Sequence, residues 1–195
     1  MGKGVAKDKK LILVPSDLVG RLMQISNKEG KTFYSFISEI FVQALRAQEI
    51  KHSLKEIIDF FEFMETQKAS GAVITPVDAL TYLIGEVYQS QRDALLEKWY
   101  ESGEWCGKYL LARFFERNPV EVFGKLLEVS RWDLKEVHVT ENAGVVKIRC
   151  VSPLLPLENT ELLLKFIEGV MYSLGYKTTE EDYLKGIILL EFQKA

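Results

Sequence analysis

The stretch KLILVPSDLVGRLMQISNKEGKTFYS, residues 10–35, carries the local signals that decide how the front of this 195-residue chain folds. Its first five residues are rich in branched apolar side chains and stop at Pro15, which predicts a short strand. Ser16 or Asp17 can then accept hydrogen bonds from the free amides of a first helical turn. Gly30 suits the left-handed cap that ends such a helix. The stretch therefore predicts a strand that runs into a helix.

A second helix is predicted to begin at Thr32, whose side chain can cap it, because the apolar residues that follow recur at i, i+3, i+4 and i+7. One strand and two helices are too small to bury a sufficient core, and a lone strand leaves its backbone groups without partners. Pairing with the same strand of a second copy would solve both problems. The sequence therefore predicts a homodimer.

This order of elements resembles the ribbon-helix-helix (CopG/MetJ-like) family of prokaryotic transcription regulators. The resemblance covers roughly residues 7–47 and includes LVPSDL at 13–18, the glycine at 30 and TFYS at 32–35. It implies that the paired strands of a dimer enter the major groove of double-stranded DNA, while the start of the second helix holds a phosphate. The DNA-binding residues that it implies are Lys7, Lys9, Lys10, Leu11, Leu13, Lys31, Thr32, Phe33 and Tyr34.

Two of these positions depart from the family pattern. Alternation along the strand, counted back from Pro15, places Lys9, Leu11 and Leu13 on the groove side. The family usually has polar or basic residues there, whereas leucine can contact only the thymine methyl group among the base edges. An alternative is therefore a front module that dimerises without reading DNA.

Charge is divided unevenly along the chain, although its formal net value is only −3. Residues 1–31 hold seven Lys and Arg against three Asp and Glu, a charge of +4, and residues 32–195 hold 18 against 25, a charge of −7. Such a division is typical of a nucleic-acid-contacting arm on an acidic body. The alternative is a lysine-rich tail that is simply solvated.

The remainder of the chain alternates helical and extended patterns. We expect helices over residues 52–66, 79–84, 86–117 and 158–174, a shorter amphipathic helix around residues 122–127, a hairpin of 136–140 with 145–151, and extended segments at 176–182 and 186–193. Gly103 and Gly107 share one face of the long helix, where they would admit close approach of another element or of a ligand. The predicted class is α+β, divided into a front module (1–50), a helical connector (51–85) and a rear domain (86–195).

The rear of the chain resembles the four-vinyl-reductase domain, which is related to TRAPP trafficking subunits and to haem-based nitric-oxide sensors. The resemblance covers residues 86–195 and includes LKFIEGV at 164–170, LGY at 174–176, KG at 185–186 and LLEF at 189–192. It implies long helices on a small antiparallel sheet and a sensor of an apolar small molecule. The candidate pocket residues are Trp99, Cys106, Tyr109, Phe114, Cys150, Phe166 and Tyr172. A packed core without a ligand would produce the same pattern.

Other function classes find little support in the sequence. The motifs GxSxG, GxxxxGKS, HExxH and GxGxxG are all missing, so we expect a protein that is not an enzyme. Two cysteines and two histidines without ligand spacing predict no metal site and no cofactor. The sequence contains neither a signal-peptide core nor a long apolar run, so a cytoplasmic protein without membrane contact is expected. The leading hypothesis is a homodimeric DNA-binding regulator with a sensing or dimer-stabilising rear domain, and the alternative is an interaction or scaffold protein.

Overall fold

A computed structural model describes residues 10–195 of the chain, and these residues form six helices and one four-stranded antiparallel sheet. The elements in chain order are α1 (Ser16–Lys28), α2 (Phe33–Glu49), α3 (Leu54–Ala69), α4 (Val77–Arg113), α5 (Pro119–Ser130), β1 (Glu136–Asn142), β2 (Val145–Val151), α6 (Leu157–Ser173), β3 (Tyr176–Leu184) and β4 (Ile187–Lys194). The predicted α+β class is confirmed. The chain divides into two units, Met1–Ile58 and Asp59–Ala195, and the division falls within α3.

In the first unit, the predicted end of α1 and start of α2 are confirmed. Gly30 has a φ of 67°, the left-handed conformation that glycine adopts without steric cost. Thr32 caps α2 by accepting a hydrogen bond of 3.2 Å from the Ser35 amide. Residues 10–15 form neither helix nor sheet in the single chain. The predicted strand and its pairing with a second copy stay predictions.

The helix α4 differs from the sequence-based expectation. The sequence predicts two helices that meet near residue 85, the second of which continues to residue 117, whereas one helical element runs over Val77–Arg113. Gly85 lowers helix propensity without breaking the hydrogen-bond ladder, so the helix continues through it. The interruption lies instead at Gln91, where φ is −137° and ψ is 34°, and the helix ends because Phe114 leaves the helical conformation. The predicted boundary between residues 85 and 86 lies inside this helix.

The sheet has the strand order β1-β2-β4-β3, and every neighbouring pair is antiparallel. The predicted hairpin is confirmed, with Ala143 and Gly144 at positive φ in the turn between β1 and β2. Alternate residues of the central strands are buried, which places the helices of the second unit against one face of the sheet. The buried residues of these strands are Val146, Ile148, Cys150, Ile188, Leu190 and Phe192.

Close packing of α4 against α6 forms the centre of the second unit. A Cβ atom added to Gly103 would lie 2.1 Å from the Phe166 carbonyl oxygen, and one added to Gly169 would lie 2.1 Å from the Tyr100 carbonyl oxygen. The two helix backbones are therefore in contact at these positions. The expected close approach at Gly103 is confirmed, and the element that approaches is α6.

Candidate nucleic-acid interface and candidate ligand pocket

Side-chain exposure alternates along the apolar segment before α1. Leu11 and Leu13 are each 91% exposed, whereas Ile12 and Val14 are 62% and 45% exposed. Ile12 faces α2, where it lines an open apolar groove. The other residues that line this groove are Phe41, Ala44, Leu45, Gln48 and Leu54. Leu11 and Leu13, which the sequence predicts for base contact, are therefore more exposed than Ile12 and Val14.

The predicted lysines of this interface are only partly described. Lys10 is exposed, while Lys7 and Lys9 lie outside the described residues. Lys31 donates to Glu39 at 2.7 Å and lies 2.9 Å from Glu29. The hydrogen bond to Glu39 is the main reason that the pKa of Lys31 is raised. Its charge is therefore shared with two carboxylates of its own chain, which weakens its attraction for a phosphate.

At the start of α2, the remaining predicted residues surround the first helical turn. The Thr32 side chain caps the helix by accepting a hydrogen bond from the Ser35 amide. Phe33 is half-buried, and Tyr34 is 71% exposed. The first amides of a helix point outward along its axis and favour anions. The start of α2 thus places the positive end of the helix dipole beside an exposed aromatic side chain.

Three of the seven residues of the candidate ligand pocket belong to the packed core of the second unit. Cys106, Phe114 and Cys150 are buried in one cluster, and Phe166 packs against its edge. Burial raises the pKa of Cys106 to about 11 and that of Cys150 to about 12, so both thiols are neutral at physiological pH. This arrangement corresponds to the packed-core alternative at these positions.

Besides these four residues at the core, the remaining three pocket residues lie elsewhere in the second unit. Trp99 packs against a separate cluster that contains Ile84, Tyr88 and Leu162. Tyr109 is half-buried on α4, and Tyr172 is 57% exposed, with its ring centre 6.3 Å from that of Tyr100. The structure brings the cysteines and phenylalanines together and leaves the tryptophan and tyrosines apart from them.

A polar network that the sequence reasoning missed surrounds Glu161 of α6. Tyr88 donates to one oxygen of this carboxylate, Arg92 donates to the same oxygen at 2.6 Å, and Tyr183 of β3 donates to the other at 3.2 Å. Burial is the largest cause that raises the pKa of Tyr88, to about 12. Burial alone would also raise the pKa of Glu161, but the hydrogen bonds from Tyr88 and Arg92 outweigh it and lower that pKa.

The network around Glu161 lies at the bend of α4. Tyr88 and Arg92 are one helical turn apart and flank Gln91, the residue at which α4 departs from helical geometry. One carboxylate therefore holds α4 on both sides of its bend. The sequence shows the i, i+4 spacing of Tyr88 and Arg92. It does not show the acceptor that they share, because Glu161 lies 73 residues from Tyr88 and 69 residues from Arg92.

Comparison with known proteins adds little to these observations. No protein-family model matches the chain, and no curated protein matches it either. A solved structure described as "Probing the function of heme distortion in the H-NOX family" aligns with 76% of this chain and 88% of its own, at 17% identity and a TM-score of 0.37. At that TM-score the likeness supports no statement about fold or ligand. None of the helices within residues 10–195 has the length and apolar character needed to cross a membrane.

Proposed function

We propose that the chain is a homodimeric DNA-binding transcription regulator. In this proposal the first unit pairs with a second copy and binds double-stranded DNA. The second unit senses an apolar small molecule or stabilises the dimer.

The observation that carries the proposal is the lack of a core in the first unit. Among its described residues only Ser26 and Ala47 are buried, while large apolar side chains such as Ile12, Phe41 and Leu45 are 62%, 48% and 66% exposed. Full burial of one such side chain is worth about 1.5–3 kcal/mol. A second copy that covers the groove beneath Ile12 would supply the missing burial and pair the strand groups of residues 10–14.

Three features support DNA as the partner of the dimer. Residues 1–31 carry a charge of +4, and pairing of two copies doubles it to +8, whereas residues 32–195 carry −7 in each copy. A two-stranded β-ribbon has the dimensions of the major groove. The positive end of the α2 dipole favours a phosphate, and it follows the predicted ribbon within the same small unit.

For the second unit, a dimer-stabilising role has the more direct support. The residues Ile84 and Tyr88 of α4 pack with Leu162 of α6. On the adjacent flank of the same helix, Leu80, Leu83 and Val87 remain 38%, 58% and 37% exposed. A ligand-sensing role rests on the apolar character of the residues around Cys106 and Cys150.

The first experiment measures the mass of the full chain in solution by sedimentation. The expected mass is twice that of one chain. The double variant Ile12→Ala/Phe41→Ala should shift the equilibrium toward monomer, because it removes apolar side chains from the groove, whereas Lys10→Ala should not. A monomeric wild-type protein would contradict the proposal.

The second experiment measures binding to duplex DNA at several salt concentrations. Affinity should fall steeply with salt, and replacing Lys7, Lys9 and Lys10 with alanine should reduce the logarithmic slope by about 0.9 for each phosphate that the variant no longer neutralises. Failure to bind any duplex at low salt, or binding that is indifferent to salt, would refute DNA binding.

The alternative is an interaction or scaffold protein whose first unit only dimerises. Two observations favour it: the outward face carries Leu11 and Leu13, and Lys31 is already paired with Glu29 and Glu39. A stable dimer whose behaviour toward DNA is unchanged by the three lysine substitutions would favour this alternative.

A further inference from the structure

We propose that the first half of α4 is a hinged arm that Glu161 holds closed. The arm, defined as residues 77–90, opens as one unit about Gln91 while the rest of α4 stays packed. The inference concerns the second unit alone, so it goes beyond the proposed function and stands whether or not the chain binds DNA. It assigns this unit a closed and an open state, which a ligand selects between by binding one of them more tightly.

The hinge is the point at which α4 leaves helical geometry. Gln91 has a φ of −137° and a ψ of 34°, far from the helical values of about −63° and −42°. Proline and glycine, which commonly interrupt helices, do not occur in residues 88–94, so the interruption depends on the contacts around it. At the other end of the arm, residues 70–76 form neither helix nor strand, and Val73 and Ile74 are 84% and 75% exposed. The arm therefore has non-helical backbone at both ends, which allows it to move as one piece.

The two halves of α4 are packed to very different extents. In the arm, all of which the structure describes, the buried residues are Ile84 and Tyr88, and they form a small cluster with Leu162 that is separate from the main core. The second half of α4 instead contributes Cys106 to the main core, and its backbone contacts that of α6 at Gly103. Segments with few buried apolar contacts open at a lower free energy than the core. The arm is therefore the half of α4 that opens first.

One polar contact near the start of the arm is incomplete. The side-chain amide of Asn159 donates to the hydroxyl oxygen of Thr81 at 3.3 Å. The Oδ1 atom of Asn159 is buried and has no hydrogen-bond partner among the described residues. A buried acceptor without a partner costs free energy that hydration recovers. Opening of the arm lets water reach this oxygen, which lowers the free energy of the open state relative to the closed one.

The latch that opposes opening is the carboxylate of Glu161, whose side chain is 12% exposed. It accepts hydrogen bonds from Tyr88 in the arm and from Arg92 just beyond the hinge, the latter at 2.6 Å. Tyr183 of β3 donates to its other oxygen at 3.2 Å, which ties the carboxylate to the sheet. Hydrogen bonds to an ionised group are stronger than those between neutral groups. The arm opens only when the bond from Tyr88 breaks, so Glu161 sets the population of the open state.

The experiment measures amide hydrogen exchange of the full-length protein, resolved along α4. Amides of residues 80–90 should exchange at least about 100-fold faster than those of residues 103–110 and should share one protection factor, with a step at Gln91. Equal protection of both halves would overturn the hinge. Protection that falls gradually toward residue 77 would also overturn it, because that profile indicates fraying of a helix end.

Two variants test the latch. Glu161→Gln removes the charge and should speed exchange of the arm by about tenfold, since hydrogen bonds to charged groups are among the strongest in proteins. Tyr88→Phe removes the hydrogen bond of the arm itself, keeps the ring, and should act in the same direction. An arm whose exchange neither variant changes would overturn the role of Glu161.

The matched control is Glu168→Gln on the same helix. Glu168 is 11% exposed and is likewise bound by a cation and a hydroxyl, Lys165 at 2.6 Å and Thr178 at 3.0 Å. Its replacement should leave exchange of the arm unchanged. If it speeds the arm as much as Glu161→Gln does, Glu161 is not the latch.

A second control separates local opening from unfolding of the whole unit. Ile148→Val, at a buried position of β2, should destabilise the core and speed exchange of residues 103–110 by about tenfold. Exchange of the arm should stay at the wild-type rate, because its opening leaves the core intact. An arm that follows Ile148→Val opens only when the whole unit unfolds, and this result would overturn the proposal.

Discussion

The close contact between α4 and α6 predicts that Gly103→Ala destabilises the folded protein. The new Cβ would lie 2.1 Å from the Phe166 carbonyl oxygen and 3.0 Å from the Val170 amide nitrogen. Both neighbours are backbone atoms, which cannot rotate away as the end of a side chain can. Relief requires the two helices to move apart until the first distance reaches at least 3.0 Å, a separation of about 0.9 Å.

The size of the effect follows from two opposing contributions. A gap of about 0.5–1 Å already removes a quarter to a half of the dispersion attraction between facing atoms, and overpacking of a core typically costs about 1–3 kcal/mol. Alanine in place of glycine gains about 1 kcal/mol of helix propensity. Because the clash is with backbone, we take the upper end of the cost and expect a net loss of about 2 kcal/mol in the free energy of unfolding.

The assay is thermal unfolding followed by circular dichroism, with Gly85→Ala as the matched control. Gly85 lies in the same helix, and nothing lies within 4 Å of the position of its added Cβ. At about 3 °C per kcal/mol for a unit of this size, Gly103→Ala should lower the Tm by about 6 °C, while Gly85→Ala should raise it by about 3 °C. If Gly103→Ala melts at or above the temperature of Gly85→Ala, the inferred backbone contact between α4 and α6 is wrong.

Three further predictions concern titration, thiol reactivity and helix capping. Because the pKa of Glu161 is lowered in the folded protein, the stability that its ionised form contributes is present above the ordinary carboxyl pKa of 4.5 and is lost as the pH falls through the lower folded value. Chemical unfolding should therefore show Glu161→Gln less stable than wild type at pH 7, with a difference that shrinks in acid; a difference independent of pH would contradict this. Burial raises the pKa of Cys106 and Cys150, so a thiol reagent at pH 8 should modify neither cysteine until the protein unfolds, and rapid modification of the native protein would be inconsistent with the packed core. Asn118 caps α5 by accepting from the amides of Val120 and Glu121, so Asn118→Ala should cost about 1 kcal/mol in urea unfolding, whereas Asn118→Ser should recover most of it.

Features that depend on neighbouring residues were predicted well from the sequence. The hairpin of β1 and β2 follows from alternating valines and a turn that ends in Gly144, and the break between α1 and α2 follows from Gly30 and Thr32. Each of these signals acts over a few residues, so no distant part of the chain is needed to produce it.

Features that depend on distant residues were predicted less well. The apolar stripe that includes Cys106 and Phe114 was compatible with a ligand pocket and with a solid core, because both require apolar side chains at helical spacing. Its burial in one cluster with Cys150 became visible only once α4, α6 and the sheet were assembled. The bend at Gln91 was likewise hidden, since Glu161, which holds Tyr88 and Arg92 on either side of it, is far away in the sequence.

By itself, the sequence determined the order and type of most elements, the α+β class and the division of charge between a basic front and an acidic remainder. These properties depend on local backbone preferences and on counts of residues. The tertiary structure alone decided that Gly103 serves contact with α6, that both cysteines are packed in a core, and that Ile12 lines a groove with residues of α2. Such properties depend on which surfaces meet, and a periodic pattern specifies a face without specifying the partner that covers it.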